Sequence, residues 1–186
     1  TADMALLALD ILGPQKIIGI DISEGMLEIG RQKVHKAGLD SRIELAKGDS
    51  EAINYPAETF DAVTVAFGVR NFENLEKGLH EILRVLKPGG RLMVSDLVLL
   101  KELPDVVKKS IEAYVGCVSG AALKDEYLRT IRAAGFQDVR IIDEASFPVE
   151  FIANDPTAKE LIKNSKMPPE KVSEVYWCAG AVSFLR

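Results

Sequence analysis

Lys16-Ile17-Ile18-Gly19-Ile20-Asp21-Ile22 decides the fold. The run is short, β-branched and nearly continuous in apolar character, as a strand buried on both faces must be. Just before it, Gly13-Pro14 closes a helix over residues 2–12. Just after it, Ser23 can cap a helix over 24–37, which Gly38 ends. The alternation continues outward. Residues 42–46 read as a strand leading to Gly48-Asp49-Ser50, 51–59 as loop, and 60–67 as a third strand. Residues 73–86 place Leu75, Leu79, Ile82, Leu83 and Leu86 on one side of a helix. Lys87-Pro88-Gly89-Gly90 terminates that helix, and 91–98 form a strand. Helix and strand in turn, joined by short links, predict an α/β fold with a doubly wound, mostly parallel sheet.

Beyond Leu100 the rhythm changes. Residues 104–115, 123–134 and 156–165 read as helices, Pro168-Pro169 opens another, and 138–142 and 175–185 read as strands. The expectation is one domain over 1–186. Its cofactor-side half is 1–100 and its acceptor-side half 101–186, with a small cap from 101–122 and 146–174. Thr1-Ala2-Asp3 runs straight into an apolar helix, which suggests a chain that starts inside a larger domain.

The chain has 186 residues, enough for one sizeable core, with 47% hydrophobic and 27% charged residues. Its formal net charge is −5 and it has no basic block, which argues against a general nucleic-acid binder. No apolar run approaches the roughly 20 residues of a membrane span. Two cysteines, Cys117 and Cys178, cannot make a disulfide framework; free thiols in a reducing cytoplasm are the default. No metal-ligand set is expected.

In a doubly wound sheet, ligands bind at the carboxyl ends of the strands. Asp21 ends the first strand, where a carboxylate can accept both hydroxyls of a ribose. Asp49 follows the second and could accept from an exocyclic amine such as an adenine N6. The third ends at Ala66-Phe67-Gly68, where small residues let backbone approach a ligand. Each feature alone more often marks a helix cap or turn; their order and spacing together favour a site.

These segments resemble successive motifs of class I S-adenosylmethionine-dependent methyltransferases. The carriers are Ile18 to Ser23, Gly48-Asp49-Ser50, Phe60-Asp61-Ala62-Val63 and, most specific, Arg84-Val85-Leu86-Lys87-Pro88-Gly89-Gly90-Arg91-Leu92. The resemblance implies a Rossmann-like methyltransferase fold and S-adenosylmethionine as cofactor. It also implies cofactor contacts from Thr1, Asp21, Ile22, Asp49, Ser50 and Ala66. Thr1-Ala2-Asp3 resembles the end of the family's glycine-rich loop, so the family's opening strand and most of that loop are expected upstream, ahead of the strand that Asp21 ends.

The acceptor expectation is split. Residues 1–92 resemble the quinone-ring C-methyltransferases of menaquinone and ubiquinone synthesis, through Ala66-Phe67-Gly68-Val69-Arg70-Asn71. There Arg70 and Asn71 would help deprotonate a ring hydroxyl, and Ala66 replaces the usual Ser. The plainer reading has Arg70 packed at the surface or paired with a carboxylate.

From Ser95 onward the chain resembles arsenite methyltransferases, through Ser95-Asp96-Leu97-Val98, Tyr114 to Ala121, and Tyr127-Leu128 with Ala134-Gly135-Phe136. Trivalent arsenic is thiophilic and needs thiolates. The resemblance puts Cys117 at one arsenic-ligating position and Cys178, 61 residues later, near a second. The plainer reading of each is a buried small apolar residue. The sequence reading leans to an arsenite-type, thiolate-held substrate, with C-methylation of a demethylmenaquinone- or demethylubiquinone-type ring as the alternative. A non-catalytic cofactor-binding domain is a further one.

Overall fold

A computed structural model describes residues 1–100, 122–146 and 178–186. They fall into two compact units, Thr1–Pro56 and Ala57–Arg186. The expected helices over 104–115 and 156–165, and the one from Pro168, lie outside the described residues.

The first unit contains α1 (Asp3–Leu12), β1 (Ile17–Asp21), α2 (Glu24–Lys36) and β2 (Ile43–Lys47). β1 and β2 pair in parallel, Ile17 opposite Ile43 and Asp21 opposite Lys47. Gly13 closes α1 at φ 60°, and the Ser23 hydroxyl caps α2 by accepting from the Met26 N–H. α2 buries Leu27, Gly30 and Val34, a helical stripe. Leu45 packs where two glycines leave room. A Cβ on either Gly19 or Gly30 would stand 2.7 Å from one of its methyl groups.

The second unit contains β3 (Phe60–Ala66), a 3₁₀ turn (Val69–Asn71), α3 (Leu75–Val85), β4 (Leu86–Val98), α4 (Lys124–Ala133), β5 (Gln137–Ser146) and β6 (Cys178–Leu185). Its sheet has the order β3-β4-β6-β5. β3 and β4 are parallel, whereas β6 is antiparallel to both neighbours. Along β4, Leu92, Val94 and Asp96 are buried and Arg91 and Met93 exposed, the period-2 pattern of a sheet with one face on the core. That core also takes Leu79, Ile82 and Val85 from α3 and Tyr127, Leu128 and Ile131 from α4.

Lys87-Pro88-Gly89-Gly90 ends the helix as expected but does so inside an extended strand. Leu86 pairs with Phe60 and Arg91 with Ala62, so Lys87 to Gly90 bulge opposite Asp61. Gly89 sits at φ 76°, which favours glycine. A Cβ on Gly90 would lie 2.8 Å from the Lys87 carbonyl oxygen.

Candidate active site

In the first unit, β1 and β2 carry Asp21 and Asp49 to adjacent carboxyl ends, and the Gly48 N–H donates to the Asp21 carbonyl at 3.1 Å. Asp21 Oδ1 accepts from the Ser23 N–H at 2.8 Å, and Asp49 Oδ1 accepts from the Glu51 N–H at 2.8 Å. Each carboxylate therefore stabilises its own turn, the modest role expected of Asp after a strand. Among the described residues, the Oδ2 oxygen of each has no donor, and neither residue is ion-paired. One open carboxylate oxygen and a spare lone pair on the other suit neutral hydroxyl or amine donors. Ile22 is exposed and Ser50 half-buried beside them. Thr1 is exposed and donates to Asp3 at 2.7 Å.

In the second unit, Ala66 ends β3 opposite Ser95 of β4. The chain then turns sharply. Phe67 adopts φ 55°, a left-handed conformation uncommon for a bulky side chain, and remains half exposed. Its N–H donates to the Ser95 carbonyl at 2.7 Å, and its own carbonyl accepts from the Asn71 side-chain amide at 3.1 Å. Asn71 itself is exposed.

Arg70 points inward, its side chain 7% exposed, and meets a carboxylate, as the plainer sequence reading allowed. Its Nη1 donates to Asp96 Oδ1 at 2.6 Å, and its backbone N–H donates to Asp96 Oδ2 at 2.9 Å. The Leu97 N–H adds a third bond to Asp96. The guanidinium carbon lies 5.7 Å from the centre of the Phe67 ring, within cation–π range. Two buried polar atoms, Arg70 Nε and the Tyr127 hydroxyl, have no hydrogen-bond partner among the described residues. Burial pushes the Tyr127 phenol far above its ordinary pKa; the Asp96 charge adds to this and Arg70 opposes it.

Asp96 and Tyr127 were not singled out as site residues from the sequence. The available signal was an aspartate at a core register of β4, because acidic residues are almost never fully buried unless paired. Cys117 lies outside the described residues. The backbone of Cys178 starts β6, opposite Val98 of β4 and Ser146 of β5.

An α/β chain with acidic residues at strand ends and a sharp turn after β3 shares its fold with proteins of known structure, methyltransferases among them. The arsenic(III) S-adenosylmethionine methyltransferase of Chlamydomonas reinhardtii superposes with a TM-score of 0.73 at 19% identity, over 97% of this chain and 58% of that one. The YcgJ protein of Bacillus subtilis gives 0.78 at 18% identity, over 100% and 88%. More particularly, the chain belongs to the ubiE/COQ5 methyltransferase family, whose model matches residues 1–118. That match runs past Ser95, where the sequence reading had turned towards arsenite enzymes.

A demethylmenaquinone methyltransferase of Bacteroides fragilis is 49% identical over 104 residues, 56% of this chain and 42% of that protein. The ubiquinone/menaquinone biosynthesis C-methyltransferase UbiE of Escherichia fergusonii is 40% identical over 99 residues, 53% and 39%. These alignments thus span less than half the length of those relatives. The likeness to the arsenic enzyme, at 19% identity, establishes the fold and leaves the acceptor open. Among the described residues, no helix is long and apolar enough to cross a membrane.

Proposed function

We propose that the chain serves in methyl transfer from S-adenosylmethionine to a ring carbon of a demethylmenaquinone- or demethylubiquinone-type acceptor. The observation that carries this reading is the family match over residues 1–118, together with 49% identity to a demethylmenaquinone methyltransferase. It reverses the lean of the sequence towards arsenite.

When bound, the cofactor supplies a methyl group on a sulfonium, open to in-line displacement. Asp21 and Asp49 fit its nucleoside end, since each keeps an open oxygen for a ribose hydroxyl or the adenine amine. Ile22 and Ser50 flank them, and Thr1 is a further contact that the resemblance implies. A guanidinium has donors and no acceptor, so Arg70 is not the group that takes the proton. Its part is to stabilise the anion of a ring hydroxyl as that proton leaves to water, which makes the neighbouring carbon nucleophilic. Asn71 would orient the same oxygen. Most of the rate enhancement then comes from holding donor and acceptor in line.

Transfer of isotopically labelled methyl from S-adenosylmethionine to a demethylated quinol and to arsenite tests the proposal. Label should enter the quinol, and Cys117→Ser should leave that turnover unchanged. Asp21→Ala should weaken cofactor binding by about 1–3 kcal/mol in calorimetry, the scale of hydrogen bonds to a charged group. Label entering arsenite instead, and lost in Cys117→Ser, would overturn the ring reading.

A further inference from the structure

We infer that Asp96 is a positioning residue that sets the geometry of the Ala66–Asn71 turn through Arg70. The inference rests on the proposed ring methylation. Asp96 occupies a core register of β4, on the same face as Leu92 and Val94, and its side chain is only 2% exposed. An ion pair this deeply buried is weak evidence for stability, because an apolar pair of similar volume is often as stable or more so.

The contacts suggest what the pair does instead. One carboxylate grips both the backbone N–H and the guanidinium of Arg70, so it fixes the path of the turn and the side chain together. The Phe67 N–H on Ser95 and the Asn71 amide on the Phe67 carbonyl fix the rest of the turn. Phe67 is thereby held in a strained left-handed conformation with its ring half exposed. Strain of this kind persists only where its surroundings over-determine it, and it clusters at functional sites. Arg70 Nε is buried without a partner among the described residues, so the guanidinium is not saturated by its own fold. A buried donor left unpaired costs free energy, a cost the pair with Asp96 imposes at this turn.

The test uses the full chain with Asp96→Asn, which removes the charge and keeps the shape, and Asp96→Glu, which keeps the charge and displaces the head. Amide exchange, the pH profile of kcat and the KM for S-adenosylmethionine are read for each. In Asp96→Asn, exchange at Phe67, Arg70 and Asn71 should quicken about 10- to 100-fold, while Leu79–Val85 stays protected. kcat should fall roughly 100-fold, the scale of a misplaced reacting group, with KM for S-adenosylmethionine nearly unchanged. The ascending limb of the pH profile should move to higher pH, since a displaced Arg70 no longer favours the ring anion. Asp96→Glu should lose kcat too, with α3 still protected, and it decides the matter if Asp96→Asn does not fold.

Folded variants whose kcat, pH limb and turn exchange match the parent would overturn the inference. So would an even loss of protection across turn and α3 alike. A parent that methylates no quinol would sink the proposed function instead, and the exchange contrast would still decide the role of Asp96.

Discussion

Tyr127→Phe should stabilise this protein, although it deletes a polar group from a well-packed site. Tyr127 lies on α4 with 3% of its surface exposed, and its hydroxyl has no hydrogen-bond partner among the described residues. A buried hydroxyl without a partner costs about 1–3 kcal/mol of desolvation. Phenylalanine removes that cost and leaves a gap of about 15 Å³, worth about 0.4 kcal/mol at roughly 24 cal/mol per Å³. The balance is a gain of about 1 kcal/mol, or about 2–4 °C in melting temperature for a chain of this length.

The alkaline limb gives a second, independent signature. An unfolded tyrosine loses its proton near pH 10. The folded phenol is held far higher, because burial and the Asp96 charge both penalise phenolate. Above pH 10 the unfolded state therefore binds fewer protons than the folded state, and stability falls by up to about 1.4 kcal/mol per pH unit. Phenylalanine abolishes this term, so its advantage should be about 1 kcal/mol at pH 7 and grow towards pH 11. Urea denaturation of parent and variant at pH 7, 9, 10 and 11 reads both effects, with the other tyrosines cancelling in the difference. A variant less stable than its parent at pH 7 would show that the hydroxyl has a partner. A difference that stays flat above pH 10 would refute the burial of the phenol.

Gly78→Ala puts a Cβ 2.3 Å from the Phe72 ring, and the overpacking cost of about 1–3 kcal/mol exceeds the helix-propensity gain of about 1 kcal/mol. Chemical denaturation should show a net loss; a more stable variant would mean that Phe72 is free to move. The Lys87 ammonium holds the exposed Asp61 carboxyl below its usual range, so this contribution is present above the ordinary carboxylate pKa and lost as pH falls through the folded value. Asp61→Asn should therefore be slightly less stable than the parent at pH 6, the gap closing at pH 2; melts in which the gap widens on acidification would contradict the pairing.

What was legible in the sequence was local. Ile17 to Asp21 carries its strand in five residues, and Gly13, Gly38 and Gly135 mark helix ends with the positive φ that few other residues tolerate. Ser23 and Asp21 lie within three residues of the N–H groups they bind. Strand pairing is another matter. The placement of β6 between β4 and β5 joins Arg91 to Leu185 across most of the second unit, and no periodicity within β6 names its neighbours. The Lys-Pro-Gly-Gly segment shows the same limit from the other side. Its composition announces a break, whereas the bulge opposite Asp61 exists because Phe60 and Ala62 of another strand resume pairing on either side of it.

The Arg70–Asp96 pair shows how much of the geometry after β3 lies beyond local patterns. The two residues are 26 positions apart, and each has an ordinary reading alone: a surface arginine in a loop and an aspartate near a strand end. Only the alternation along β4 separates them from that reading. With Leu92 and Val94 committed to the core, position 96 must face it as well, and a carboxylate there requires a cation or several N–H donors. The parallel register of β3 and β4 sets Ala66 opposite Ser95, so the residues that follow β3 are those able to reach Asp96. The demand for a partner arises in one strand and is answered from the turn after its neighbour. A motif scan that treats the two segments separately therefore finds the arginine and misses the residue that holds it.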